Sequence, residues 1–377
     1  MAKGIYIGVD GKARKVKKVY IGVDGKARKV KKAYIGVDGK ARLFYSAEQK
    51  LEYYGKATAL SAVGRDFAAG SVGNYAIFAG GQGSTTTVNT YTSTLTKGTG
   101  TALSLGRYRM PAANAGNYLV IAGGFSGKTS KRVTDVDVYT ETLTKASASD
   151  LDLGVSGLRA TSVGGYALFS GGYFYINQYA YGTSSTVTAY NSSLVQSFPT
   201  TLTNGAQNHG ATNIGGYALF GGGVNGSDYN SSVDAYDTSL TKTTTSALSS
   251  TKGNLAATKT LKHALFAGGE NSNYLKTVDA YNESLVKSTP ASLSVARNYL
   301  TGINVGEYAI FAGGYTGSAY TDVVDAYNSD LVHSVPTALS GGRYELSSAS
   351  VGDYALIAGG GTSSTADSST VDVYQVI

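Results

Sequence analysis

The sequence predicts an all-β chain folded as a seven-bladed propeller with four-stranded blades, and three observations carry that prediction. An apolar strand ending in two glycines recurs seven times, with the first glycine at positions 80, 123, 171, 222, 268, 313 and 359. The copies lie 43 to 51 residues apart, the period of one blade in a radially repeated fold. The composition is that of strands and turns, with 50 Gly and 30 Tyr among 377 residues and only four Pro.

In chain order, the first element is a basic segment, residues 1–44, which is itself a repeat. Tyr6-Ile7-Gly8-Val9-Asp10-Gly11-Lys12-Ala13-Arg14 returns at Tyr20–Arg28 and Tyr34–Arg42, a period of 14. Asp-Gly between short strand-forming stretches predicts a two-residue type I′ hairpin, because both central residues need φ > 0. That turn sets Val9 opposite Lys12 and Ile7 opposite Arg14. Isolated hairpins are marginal in water, so the segment is expected to fold against a partner or against copies of itself, which leaves homo-oligomerisation open.

The second element is the ring, residues 45–377. Each repeat opens with a strand of small residues, such as Ala68-Ala69-Gly70-Ser71, suited to the crowded axis. The anchor strand follows, as in Tyr75-Ala76-Ile77-Phe78-Ala79. It is apolar on both faces, as expected between neighbouring blades. The glycine pair permits a bend or a close backbone approach. A third strand reads Val-Asp-Ala-Tyr at 233–236, 278–281 and 324–327, and a Thr/Ser-rich fourth strand completes the blade. The last repeat stops at Val371-Asp372-Val373-Tyr374-Gln375-Val376-Ile377 and lacks a fourth strand. Residues around 51–61 resemble one and are expected to supply it, closing the ring and covering an edge.

The strand-terminal Gly-Gly, the downstream Val-Asp-Ala-Tyr and an Arg before the first strand resemble kelch repeats over roughly residues 50–377. The resemblance implies a kelch-type propeller. The kelch tryptophan is absent from every copy. Leu240, Leu285 and Leu331, near the turn between strands 3 and 4, are expected to take over part of its packing. The 14-residue repeat is similar to N-terminal repeats of phage and prophage structural proteins of Gram-positive bacteria, which implies attachment to a virion.

In an up-and-down blade the 2–3 and 4–1 loops share one face. The longest 2–3 loop offers Tyr173, Tyr175, Asn177, Tyr179 and Tyr181. Others offer Phe125, Tyr229, Tyr274, Tyr315 and Tyr320, and the 4–1 connections offer Arg65, Arg107, Arg159, Arg297 and Arg343, of which Arg107, Arg297 and Arg343 are the preferred candidates. Tyr, Asn and Arg suit sugars or anionic polymers by stacking and hydrogen bonding. The plainer reading is that the arginines brace blades and the tyrosines cap their ends. The aspartates repeated in register read as structural, since repeats share packing needs.

No catalytic residue, metal or cofactor is expected. The chain has no Cys and three His, at 209, 263 and 333, without a ligand motif. No apolar run is long enough to insert in a membrane. Residues 1–42 hold ten Lys and three Arg against Asp10, Asp24 and Asp38, whereas the remainder is net acidic. The basic character therefore belongs to the attachment segment. Docking onto other virion proteins is the reading preferred for it over nucleic acid or a solvated linker. The expected function is that of a non-enzymatic virion protein, made in the host cytoplasm, whose loop face meets a host-surface glycan or protein. A ligand-free decoration protein and an intracellular kelch scaffold are the alternatives.

Overall fold

The structure, a computed structural model, describes residues 49–176 and 180–377 with their side chains. It also describes, as backbone strands, 6–9, 12–15, 20–23, 26–29, 32–37, 40–46 and 177. The chain divides into two compact units, residues 1–50 with Ile377 and residues 51–376. In the first unit, Tyr6–Val9 pairs antiparallel with Lys12–Lys15, setting Val9 opposite Lys12 and Ile7 opposite Arg14. The second copy repeats that register at Tyr20–Val23 and Lys26–Lys29. The third runs longer, from Lys32–Val37 to Lys40–Ser46, with a bulge at Ala33/Tyr34. The Asp-Gly turns themselves lie outside the described residues.

The second unit contains seven antiparallel four-stranded sheets and, in its loops, three two-stranded ones among the described residues, and no helix occurs among the described residues. Blade 1 contains Ala68–Val72, Tyr75–Ala79, Val88–Thr92 and Lys97–Thr99. Strand 1 lies innermost. Blade 7 is completed from the other end of the sequence: Leu51–Ala57 pairs with Val371–Val376, with a bulge at Val373/Tyr374. Outer strands are short, and several carry a lysine such as Lys97, Lys145, Lys242 or Lys287, which blunts an edge against further pairing.

The anchor strand is apolar on both faces because both faces are covered. Seven buried clusters occupy the seven blade junctions. At the junction of blades 5 and 6, Leu265, Leu293 and Leu300 meet Ala309, Phe311 and Tyr327. Leu240, Leu285 and Leu331 pack at the margins of three such clusters.

Two hydrogen bonds recur at every junction and explain the repeated residues. The N–H of the second glycine donates to a carbonyl of the next blade's 4–1 connection. Examples are Gly81 to Arg107 at 3.1 Å, Gly269 to Arg297 at 2.9 Å and, closing the ring, Gly360 to Gly64 at 2.9 Å. A Cβ on the first glycine would meet that same carbonyl: at Gly268, φ +65°, it would lie 2.7 Å from Arg297 O. Only glycine fits there. The second tie uses the tyrosine of Val-Asp-Ala-Tyr, which is fully buried in every blade. Its hydroxyl donates backwards to the preceding blade, as in Tyr281 to Ser246 O at 2.7 Å and Tyr327 to Ala291 O at 2.8 Å. Tyr91 makes the equivalent bond to Thr58 O at 2.7 Å, across the closure.

The aspartate of that motif is also structural. Asp325 is fully buried and lies 2.8 Å from Arg297 Nη1 and 2.7 Å from His333 Nε2, and it accepts from Ser294 N–H at 2.9 Å. Burial opposes its charge, but Arg297, the Ser294 N–H and His333 outweigh burial and hold the carboxyl below its ordinary range. Asp137 pairs likewise with Arg107 at 2.8 Å, Asp279 with Lys252 at 3.1 Å, and Asp372 with Arg343. Blades 1 and 3 lack the cation and also lack the acid: Gly64 goes with Asn89 and Val155 with Thr188. Blade 4 has Ala206 in the cation's place, and its Asp234 takes Lys242 at 3.2 Å from the outer strand.

Candidate ligand-binding face

The 2–3 and 4–1 loops do share a face, because they pair with each other. Backbone bridges join Tyr108 to Phe125, Ser156 to Tyr173, Gln207 to Val224, Asn298 to Tyr315 and Tyr344 to Gly361. At the centre of this face the 4–1 connections close into a second, smaller ring. Each blade contributes one residue in left-handed conformation: Asp66, Arg109, Gly157, Asn208, Asn254, Tyr299 and Glu345, with φ between 50° and 68°. The N–H of each donates to the carbonyl of its neighbour at 3.0–3.2 Å, and Asp66 to Glu345 completes the circle. This backbone ring presents six side chains of five kinds to the mouth of the axis. They line a cavity of about 260 Å³ together with Arg159 and the small axial residues Ala112, Ala160, Ala211, Ala257, Gly302 and Ser348.

The mouth is polar and partly paired. Arg109 Nε lies 3.1 Å from Asp66 Oδ2, and its Nη2 lies 3.5 Å from Glu345 Oε1. Arg65 lies 3.4 Å from the other Glu345 oxygen and also bonds the hydroxyl of Tyr344 and Gln82 Oε1. Burial, and next the neighbouring Asp66 charge, push the Glu345 carboxyl up to about 7 against the pull of Arg109 and Arg65. Asn254 donates from Nδ2 to Glu270 at 2.6 Å, which fixes its amide. Its buried Oδ1 has no partner among the described residues. His209 also lines the cavity, and its buried Nδ1 has no hydrogen-bond partner among the described residues. It stands where four other blades have Leu158, Leu255, Leu300 and Leu346, shares a 2.8 Å hydrogen bond with Ser170 Oγ, and is pushed down to about 3 by burial and then by Arg159.

The tyrosines of the predicted face form two groups. The first is a run from the mouth outwards. Tyr299 meets Tyr344 at 6.3 Å between ring centres, Tyr344 stacks on Tyr320 at 4.8 Å, Tyr320 meets Tyr315 at 5.2 Å, and Tyr315 meets Tyr274 edge-on at 5.8 Å. Tyr229 stands apart from these ring contacts, beside Gly253. The second group surrounds Arg132, whose guanidinium lies 4.2 Å from the Tyr173 ring, 4.0 Å from Tyr175 and 5.4 Å from Tyr181. Tyr175 and Tyr181 are 39% and 50% exposed. Tyr179 and the side chain of Asn177 lie outside the described residues.

Of the five arginines expected on this face, Arg65 and Arg159 stand at its mouth, and the other three are not on it. Arg107, Arg297 and Arg343 are 0%, 0% and 2% exposed and are bound in the ion pairs described above. Leaving the aspartate partner would strand a buried charge, so these three brace their blades and contact no ligand. Sequence reasoning missed the mouth residues because their position varies from blade to blade while its neighbours repeat. That contrast, Asp, Arg, Gly, Asn, Asn, Tyr, Glu at one register, was the available signal. Arg132 lies outside the repeat pattern and gave none.

No family model matches this chain, and no curated protein matches it by sequence. Among solved structures, one titled "Structure of YjhT" superposes with a TM-score of 0.57 at 15% identity, covering 74% of this chain and 99% of that one. At that identity the likeness extends to the fold alone: the chain is a seven-bladed β-propeller preceded by β-hairpin repeats.

Proposed function

We propose that this chain is a kelch-type binding protein of a phage or prophage particle. Residues 1–44 attach it to other virion proteins, and the propeller's loop face takes a host cell-wall glycan. The observation that carries the reading is the run of tyrosines leading from the outer loops to an axial mouth whose polar atoms are not all satisfied among the described residues. Tyrosine rings stack on the apolar faces of sugars, while amides and carboxylates bond their hydroxyls. Rigid blades hold the site, and the variable loops shape it. The test is cosedimentation of the full-length protein with wall fragments. Saturable binding, weakened by Tyr320→Ala with the melting temperature unchanged, is expected; no binding by folded protein overturns the reading.

A second reading is acid–base catalysis at the mouth, favoured by Glu345 held near neutrality beside Asp66. Turnover of wall glycan that Glu345→Gln abolishes would select it over simple binding.

A further inference from the structure

One arginine at the mouth lacks a carboxylate. Arg65 and Arg109 share Asp66, Glu345 and Asp367. Arg159 forms no ion pair among the described residues, and its one hydrogen bond there runs from Nη1 to Leu158 O at 3.2 Å. It stands two residues past Gly157, where the other blades have Ala68, Pro111, Gly210, Ala256, Thr301 and Ser347. It is therefore the single long side chain at that level of the axis, and it lines the cavity. Burial lowers its pKa, and the attraction of Asp66 offsets this only in part. Asp66 is already engaged by Arg109 at 3.1 Å, so Arg159 is the arginine of the mouth left without a carboxylate at ion-pair distance among the described residues.

A second observation lies in the same cavity. Asn254 is 8% exposed, its Nδ2 is held by Glu270, and its Oδ1 is buried without a partner among the described residues. An orphaned buried acceptor calls for a donor from elsewhere. At about 260 Å³ the cavity is slightly smaller than the usual ligand pocket of roughly 300–1,000 Å³ and suits one sugar or alditol unit rather than a chain.

We propose that the axial cavity is a subsite for a small anionic polyol, whose phosphate or carboxylate takes the free edge of the Arg159 guanidinium and whose hydroxyl donates to Asn254 Oδ1. A planar guanidinium matches either acid group. The proposal rests on the glycan reading for the source of the ligand: an acidic or phosphate-bearing unit of a wall polymer.

The experiment is titration calorimetry of the full-length protein with glycerol 3-phosphate, glucuronate, glycerol and glucose. At least one of the two anions binds, and more tightly than its neutral counterpart; which one binds identifies phosphate or carboxylate as the source. Arg159→Gln weakens that anion by about 10- to 100-fold at unchanged melting temperature, and Arg159→Lys restores part of the loss. Anions that bind wild-type protein no better than glycerol and glucose overturn the proposal, whether or not the variants fold. So does an Arg159→Gln protein of undiminished affinity. Wall fragments that still bind in that case leave the glycan reading standing, whereas loss of wall binding by the wild type removes that reading first.

Discussion

Blade 3 suggests how the buried ion pairs of the other blades can be tested, because it does without one. Arg297→Val leaves Asp325 fully buried, with His333 Nε2 at 2.7 Å and the Ser294 N–H at 2.9 Å as its remaining support. Breaking a buried pair from one side costs about 3–5 kcal/mol, chiefly because a charge is left uncompensated. Unfolding a unit the size of residues 51–376 carries an entropy of roughly 0.7 kcal/mol/K, so about 4 kcal/mol lowers Tm by about 6 °C. Asp325→Thr alone strands Arg297 and is expected to cost a similar amount. The double variant, Arg297→Val with Asp325→Thr, reproduces the Val155 and Thr188 of blade 3 and leaves no charge behind. It should recover at least half of the summed loss of about 8 kcal/mol, a coupling of about 4 kcal/mol or more between the two sites. Thermal and urea unfolding of wild type, both single variants and the double variant measure this. Single variants melting within a degree of wild type, or a double variant as unstable as the sum of the singles, would refute the reasoning.

Other consequences can be checked in the same way. Gly268→Ala forces a Cβ to within 2.7 Å of Arg297 O at φ +65° and should cost about 2–4 kcal/mol. Gly226→Ala, at φ +62° but in open space, should cost only about 1 kcal/mol; equal urea midpoints would remove the close-approach argument. Excising residues 45–61 removes the outer strand of blade 7 and the Thr58 acceptor of Tyr91. It should lower the melting temperature of the whole ring in one transition, and an unchanged melt would contradict the closure account. Glu345 faces Asp66, Asp367, Arg109 and Arg65. Its folded pKa, raised from 4.5 to about 7, lies above the unfolded value, so its stabilising contribution is present below pH 4.5 and is lost as pH rises through 7. Glu345→Gln should therefore gain on wild type between pH 5 and pH 8, by up to about 3 kcal/mol. A gap that stays constant across that range would show that this carboxyl is not the titrating group.

The ring, its blade count and its closing strand were legible in the sequence because each depends on residues repeated in register. Gly-Gly marks the carbonyl approach, and the tyrosine of Val-Asp-Ala-Tyr marks the backward hydrogen bond. The arginines could be read as bracing blades or as facing a ligand, because an arginine before a strand can pass for exposed until its acid is found. The acid was findable: Asp137, Asp279, Asp325 and Asp372 follow Arg107, Lys252, Arg297 and Arg343 by 27 to 30 residues. Blades 1 and 3 lose both members together. The mouth was harder to see, since Asp66, Arg109, Asn208, Asn254, Tyr299 and Glu345 become neighbours only when seven blades close. The tyrosine run has the same origin: Tyr344 precedes strand 1 of blade 7, and Tyr320 lies in a loop of blade 6.

The most direct test of the central claim is equilibrium binding of the full-length protein to Gram-positive wall fragments, comparing wild type with Tyr315→Ala and Tyr320→Ala. Saturable binding by wild type, with the apparent Kd raised about tenfold in each variant and melting temperatures unchanged, is the predicted result. Folded wild-type protein that binds no fragment, or variants that bind as tightly as wild type, would contradict a glycan-binding loop face.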